Sequence, residues 1–257
     1  MRRLGPQMGI GPGAGPGSGS SYTSLQVQLG AAAWYRSDDA SKFSLASGKV
    51  VTWTDAIASA TVTQATDARR PSYTADFGDG GPAVTFDGTA VTFLQQLGTP
   101  PVNPNADYTV IALVRAHIDQ RTAWSIADFS NANRHLMLQY LFSNHKHRLL
   151  ADSGSDLDLN NANAAVDTWN VSILRRTGTT CKNKIDGAAE TTAVQSGATV
   201  TTNSTTFGGL EAGTGSGTVA APWDGAIREV QFYPLHLSDA NVTTLRDDLR
   251  SRYPNVI

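Results

Sequence analysis

The chain is poor in residues that staple, charge or span. A single cysteine, Cys181, has no partner for a disulfide within the chain. A small framework held by disulfides is therefore excluded. Charged residues make up only 16%, against a usual share of about 25%. There are 5 lysines and 3 glutamates, and the formal net charge is -2. A nucleic-acid partner gripped by bulk positive charge is thereby excluded. No apolar run reaches the roughly 18 residues that a helical membrane span requires. Arg2 and Arg3 are not followed by an apolar stretch, so the N-terminus does not read as a secretory signal. The expected site of synthesis is a cytoplasm, without export.

What is present points to strands. Hydrophobic residues reach 40%, enough to bury a core and to exclude global disorder. The 28 threonines favour pleated surfaces and the 24 glycines favour turns. Val50–Trp53, Ala83–Phe86 and Ala90–Phe93 alternate between apolar and polar. Tyr108–Val114 is nearly all apolar, as expected of a strand covered on both faces. Thr122–Phe129, Leu136–Phe142, His147–Ala151, Trp169–Arg175 and Thr180–Ile185 follow. Turns are marked by Asp87-Gly88, Gly154, Gly178 and Asp186-Gly187. About twelve strands with short turns predict an all-β, two-sheet antiparallel jelly-roll sandwich. Trp53, Phe86, Val110, Leu113, Trp169, Ile173, Ile227, Val230 and Phe232 are expected between its sheets.

The two ends differ from this pattern. Residues 1–24 form an arm in which every second residue from Gly9 to Gly19 is glycine, with Pro12 and Pro16 between. Such a segment has little to bury and much entropy to lose. Its only anchoring side chains are Arg2, Arg3, Leu4, Met8 and Ile10, which are expected to dock the arm onto a partner. Residues 25–257 form the domain. It closes in an amphipathic helix over 238–253, with Ser238 as N-cap, Val242, Leu245 and Leu249 on one face, and Pro254 as the stop.

Three segments carry a resemblance. Ala33-Trp34-Tyr35-Arg36 leads to Val51-Thr52-Trp53-Thr54-Asp55, then Arg70-Pro71 and Pro82–Gly88. Trp169-Asn170-Val171 precedes Lys184-Ile185-Asp186-Gly187. Trp223-Asp224-Gly225 opens a strand to Tyr233, followed by Leu237-Ser238 and the helix. In order and spacing these resemble the laminin-G-like branch of the concanavalin A-like lectin/glucanase jelly rolls, over residues 25–257. The resemblance implies two sheets of six or seven strands with the helix at one edge. It implies sugar binding, protein binding, glycan cleavage or a role in assemblies, so fold alone does not settle function. Domains of this kind also occur in bacteriophage structural proteins behind glycine-rich N-termini.

The glucanase branch carries two glutamates on one strand, which serve as a retaining pair. Here Glu190, Glu211 and Glu229 are 21 and 18 residues apart, so that signature is absent and no enzyme is expected. Glu229 is read as an edge position of the family strand. Asp152, Asp156, Asp158 and Asn160 offer oxygen donors for calcium. Asp156, Asp158 and Asn160 would share one strand face, and a solvated face is the blander alternative; no cofactor is otherwise expected. His145 and His147 could share a face to hold a metal or a ligand, though a polar hairpin tip after Ser143-Asn144 accounts for them as well. Trp34, Trp53 and Trp169 read as core. Trp124 is a candidate ligand-facing platform, and Trp223 a structural residue of its motif. Cys181 reads as a plain small side chain.

The expectation drawn from these readings is a non-enzymatic virion protein of a bacteriophage head or tail. Its arm would dock on other virion proteins within an oligomeric or larger assembly, without nucleic-acid binding or membrane insertion. The alternative is a carbohydrate-binding module that recognises host-surface glycan.

Overall fold

The computed structural model describes residues 24–256 apart from 80, 119–120, 130, 142–143, 151–156, 162–164, 186–187, 196–200 and 212–218. Along 131–135, 140–141, 144–150, 157–158, 160–161 and 211 it describes the backbone alone. The first strands are β1 (Ala33–Arg36), β2 (Phe43–Ala46), β3 (Lys49–Thr54), β4 (Thr61–Thr63), β5 (Ser72–Thr74), β6 (Ala83–Phe86), β7 (Leu94–Leu97) and β8 (Tyr108–Ala116). Then come β9 (Arg121–Asp128), β10 (Asn131–Leu141), β11 (Asn144–Leu150), β12 (Leu157–Asn161), β13 (Trp169–Thr177) and β14 (Thr180–Ile185). The last are β15 (Thr191–Val194), β16 (Ser204–Phe207), β17 (Leu210–Glu211), β18 (Val219–Ala220) and β19 (Gly225–Tyr233). Helix α1 (Leu25–Gln28) precedes them and α2 (Asp239–Arg252) follows.

Antiparallel pairing builds two layers. One runs β15–β14–β13–β8–β19, with β1 and β6 end to end along the far edge of β19 and β5 beside β6. The other runs β12–β11–β10–β9–β16–β7–β4–β3–β2. A bridge between Lys49 and Ser72 joins the layers at one side. At the other, the Asn183 amide of β14 donates to the Leu159 carbonyl of β12 at 3.0 Å. This is the jelly-roll sandwich that the strand pattern predicts.

The apolar residues form two cores. Between the sheets lie Tyr35, Trp53, Phe86, Val110, Trp124, Phe207, Ile227, Val230 and Phe232 with their neighbours. On the outer face of the first sheet, Ile111, Leu113, Trp169, Val171 and Ile173 meet Val242, Leu245, Leu249 and Tyr253 of α2 and its end. Strand β8 is apolar from Val110 to Val114 because the second sheet covers one face and α2 the other. The three helix residues fall at spacings of three and four on one face. Burying them contributes roughly 5–9 kcal/mol gross. The Ser238 hydroxyl, which accepts from the Asn241 N–H at 3.2 Å, adds about 1 kcal/mol. Packing, more than capping, therefore holds the helix.

Several expectations need correction. Leu113, Trp169 and Ile173 are buried, but under α2 and not between the sheets. Strand parity puts them opposite Val110 and Val114. Ala90–Phe93 is not a strand. The Asp87 carboxylate accepts from the N–H groups of Thr89 (2.7 Å) and Ala90 (3.0 Å), so the chain turns there, with Val91 at φ 55°; the strand starts at Leu94. His145 and His147 are the second and fourth residues of β11, beside the end of the β10–β11 ladder at Leu141 and Asn144. They lie within β11, paired to β10 on one side and β12 on the other.

Glu229 is not at an edge either. It is 1% exposed in β19, which is paired on both sides. The ladder to β8 slips between Ile227 and Glu229, a bulge with Arg228 as the extra residue. Both charged side chains thus reach the helix-facing side. Arg228 pairs with Asp79 and lies over the rings of Trp169 (4.3 Å) and Tyr253 (5.4 Å). Glu229 accepts from Trp34 Nε1 at 2.6 Å and from both terminal nitrogens of Arg252.

Candidate functional site

The outer face of β8 is covered only part of the way. Ile111 and Leu113 lie under the helix, whereas Arg115 and then His117, on the same parity, emerge from cover. Two loops close on this end. The His117 N–H donates to the Asp224 carbonyl (2.8 Å), and the Asp167 N–H donates to the Ala116 carbonyl (2.6 Å). Asp167 holds a left-handed φ of 57°, which aspartate tolerates better than most residues. The Asn170 amide braces that turn through the Thr168 carbonyl at 2.8 Å.

Two glycines permit the close approach of the Asp224 loop. A Cβ at Gly225 would stand 2.1 Å from the Arg115 carbonyl oxygen, and one at Gly88 would stand 2.9 Å from Asp224 Cβ. The result is a pocket of about 350 Å³ lined by Phe77, Thr85, Arg115, His117, Asp167, Asp224, Gly225 and Ala226. Phe77 is its apolar wall. It is held edge-on by Trp169 (5.6 Å) and faced by the Arg115 guanidinium (5.2 Å). Ile118 and Val166, 37% and 39% exposed, flank His117 and Asp167 along the chain.

His117 Nδ1–H donates to Asp167 at 2.9 Å, and Arg115 approaches the same carboxylate at 3.6 Å. The hydrogen bond and charge of Asp167, with Asp224 and against Arg115, hold the His117 pKa above its ordinary 6.5. The same bond holds Asp167 below its ordinary 3.8. The histidine's share of stability is thus complete below pH 6.5 and lost as pH rises through the folded-state value. The aspartate's share is present above 3.8 and lost as pH falls through its lowered value. Both groups are exposed, so the energies are small. An NMR titration is expected to show His117 titrating above 6.5 and returning towards it in Asp167→Asn. No change in that variant would remove the ion pair from the account.

A second hollow, a groove of about 560 Å³, lies between β4 and β7 with the Asp67–Arg69 turn at its side. Threonine hydroxyls and glutamine amides dominate its lining. Phe93 lies in its floor at 3% exposure and offers no ring face.

The residues singled out in the sequence lie elsewhere. Trp124 is not a ligand platform: it is fully buried between the sheets, edge-on to Phe232 at 5.7 Å. Arg2, Arg3, Leu4, Met8, Ile10, Asp152 and Asp156 lie outside the described residues. Asp158 and Asn160 take alternate places in β12, in register with Arg148 and Lys146 of β11. Among the described residues no three His, Cys, Asp or Glu side chains cluster as metal ligands, and no helix is long and apolar enough to cross a membrane. Glu190 is bound to Arg175 and Lys182, and Asp55 accepts backbone bonds from Ile57, Ala58 and Ala60. Cys181 is buried, and burial pushes its thiol pKa up.

No motif or spacing in the sequence marks Phe77, Arg115, His117 or Asp167 as site residues, and Asp224 stands there only within a fold motif. One signal was available: the outward parity of β8 changes from Ile111 and Leu113 to Arg115 and His117, where cover ends.

A sequence model of the concanavalin A-like lectin/glucanases superfamily matches residues 82–243. No curated protein sequence matches the chain. Among solved structures, domain 4 of AbnA, a GH43 extracellular arabinanase from Geobacillus stearothermophilus, in complex with arabinotriose, is similar at TM-score 0.60 and 16% identity. It covers 84% of this chain and 98% of its own. The binding domain of Paraclostridial Mosquitocidal Protein 1 is similar at TM-score 0.62 and 10% identity, covering 88% of this chain and 53% of its own. The CBM40 of the Ruminococcus gnavus IT-sialidase, bound to α2,3 sialyllactose, reaches TM-score 0.48 at 18% identity, over 59% of this chain and 97% of its own.

Proposed function

The chain belongs to the concanavalin A-like lectin/glucanase superfamily, and we propose that it is a non-catalytic carbohydrate-binding module whose glycan site is the pocket at the end of β8. One observation carries this: carboxylates, a guanidinium and an imidazole converge there beside an aromatic wall. Sugars present hydroxyls that both donate and accept, and C–H faces that pack on apolar surface. Asp167 and Asp224 accept, Arg115 donates, His117 does either according to its protonation, and Phe77 supplies the wall. A domain of the same fold, domain 4 of the arabinanase, holds arabinotriose. The ion pair supports binding over hydrolysis by a carboxyl general acid. A general acid needs a raised pKa, and Asp167 is shifted the other way. Glu190 and Glu229 are tied to arginines. No observation on the described residues or among the relatives favours the virion role.

Screening the protein on a glycan array, followed by calorimetry on the best ligand, tests the proposal. Arg115→Ala and Asp224→Asn each remove a charged hydrogen-bonding group worth about 1.5–3 kcal/mol, so each is expected to weaken binding roughly tenfold or more. Undiminished affinity in both folded variants would move the site elsewhere. An array without a single bound glycan would end the carbohydrate reading.

A further inference from the structure

We propose that the groove between β4 and β7 is a second carbohydrate-contacting site, one that takes an extended run of neutral sugar units. The inference rests on the carbohydrate reading above but uses a separate set of residues. Strands β4 and β7 meet at one residue pair, Thr63 with Gln95. The groove beside that junction holds about 560 Å³, more than half as much again as the pocket at β8.

Its chemistry differs from that of the pocket. Thr61, Thr63 and Thr66 contribute hydroxyls, and Gln64, Gln95 and Gln96 contribute amides. Every one of these groups can donate and accept, which matches a sugar hydroxyl in either role. Among the described residues that line the groove there is no carboxylate and no histidine, and Arg69 is the single ionic side chain. No described side chain in the lining titrates between pH 5 and 8. Leu97, 57% exposed, adds an apolar surface for C–H groups.

Two of the amides are held in advance. Gln64 is 8% exposed, and its Oε1 accepts from the Thr66 N–H at 3.0 Å. Gln95 Nε2 donates to Thr206 Oγ1 at 3.3 Å. The turn at the groove's side is braced by Arg70, which donates to the carbonyls of Gln64 (2.9 Å) and Ala65 (2.6 Å), and by the Phe93 N–H on the Arg69 carbonyl (3.0 Å). Fixed amides lose little entropy when a ligand arrives. An extended peptide fits less well. It would seek pockets for alternate side chains, whereas Phe93 is closed off and Leu97 is, among the described lining residues, the only exposed large apolar one.

Affinity electrophoresis of the full chain through arabinan, xylan, mannan, dextran and β-1,3-glucan, at pH 5.5 and 8, tests the inference. The peptide (Thr-Gln)6 serves as the extended-chain control, measured by calorimetry. At least one polysaccharide is expected to retard the protein. Thr63→Ala/Gln96→Ala, with an unchanged melting temperature, is expected to weaken that binding tenfold or more. The fold-loss should be the same at both pH values, and the variant's affinity for a trisaccharide in the β8 pocket should stay within twofold of wild type. Retardation of the double variant within twofold of wild type overturns the groove. If Arg115→Ala still abolishes binding in that case, the pocket reading stands alone. Loss in the groove variant with none in Arg115→Ala supports the groove and removes the pocket. Groove-dependent binding of the peptide without any of the polysaccharides overturns the sugar assignment, and no binding of any probe overturns both sites.

Discussion

Arg252→Ala is expected to destabilise the protein by about 3–5 kcal/mol, the cost of leaving a buried charge without its partner. Arg252 ends α2 and donates to Glu229 through both terminal nitrogens, one bond at 2.8 Å. It also bonds Asp248 one turn back at 3.0 Å, and lies 5.4 Å over Trp34. Burial opposes its charge, but Glu229, Tyr253 and Asp248 more than compensate and hold its pKa above the ordinary value. Glu229 is 1% exposed. Without the arginine its charge keeps only the Trp34 and Gln231 donors and the longer Tyr253 contact. At about 2–4 °C per kcal/mol for a chain of this size, the melting temperature should fall by roughly 6–20 °C. Adding Glu229→Gln to an Arg252→Met background should recover part of this, because a neutral amide still accepts from Trp34 and leaves no bare charge. A fall in Arg252→Ala of under about 2 °C would show that the helix is held by its apolar face alone.

Trp124→Ala should cost about 3–5 kcal/mol, as expected for removing a fully buried aromatic side chain. The ring fills the space between the sheets against Phe232, and no relaxation of paired strands closes a void of that size. Well below the lowered melting temperature, glycan affinity per folded molecule should match wild type. A variant that keeps its melting temperature and loses binding would restore Trp124 as a ligand contact and place the site elsewhere.

The fold was largely legible in the residues. Alternation along Val50–Trp53 and Ala83–Phe86, the doubly apolar Tyr108–Val114, and the Ser238 cap with its 3–4 spaced apolar face all settled the class and the final helix. These are local signals: each depends on neighbours within a turn or a strand. What failed was also local in form. Ala90–Phe93 alternates like a strand, yet the Asp87 carboxylate captures two backbone N–H groups and turns the chain.

Tertiary structure alone decided the rest. Parity sorted the buried residues into two sets, but which set met the second sheet and which met α2 depended on where the helix docks. The charged pair Arg228-Glu229 breaks the alternation of β19. Only the bulge opposite β8, with Asp79 and Arg252 brought from distant segments, explains how both are buried on one side. The pocket is of the same kind. Phe77, Arg115, His117, Asp167 and Asp224 are scattered over some 150 positions of the chain. None belongs to a spaced motif of site residues, because three separate loops and strand ends supply them. Two glycines that admit no Cβ, Gly88 and Gly225, let those segments close. A sequence records the period of each strand directly, but it does not record which strand ends the sandwich brings side by side.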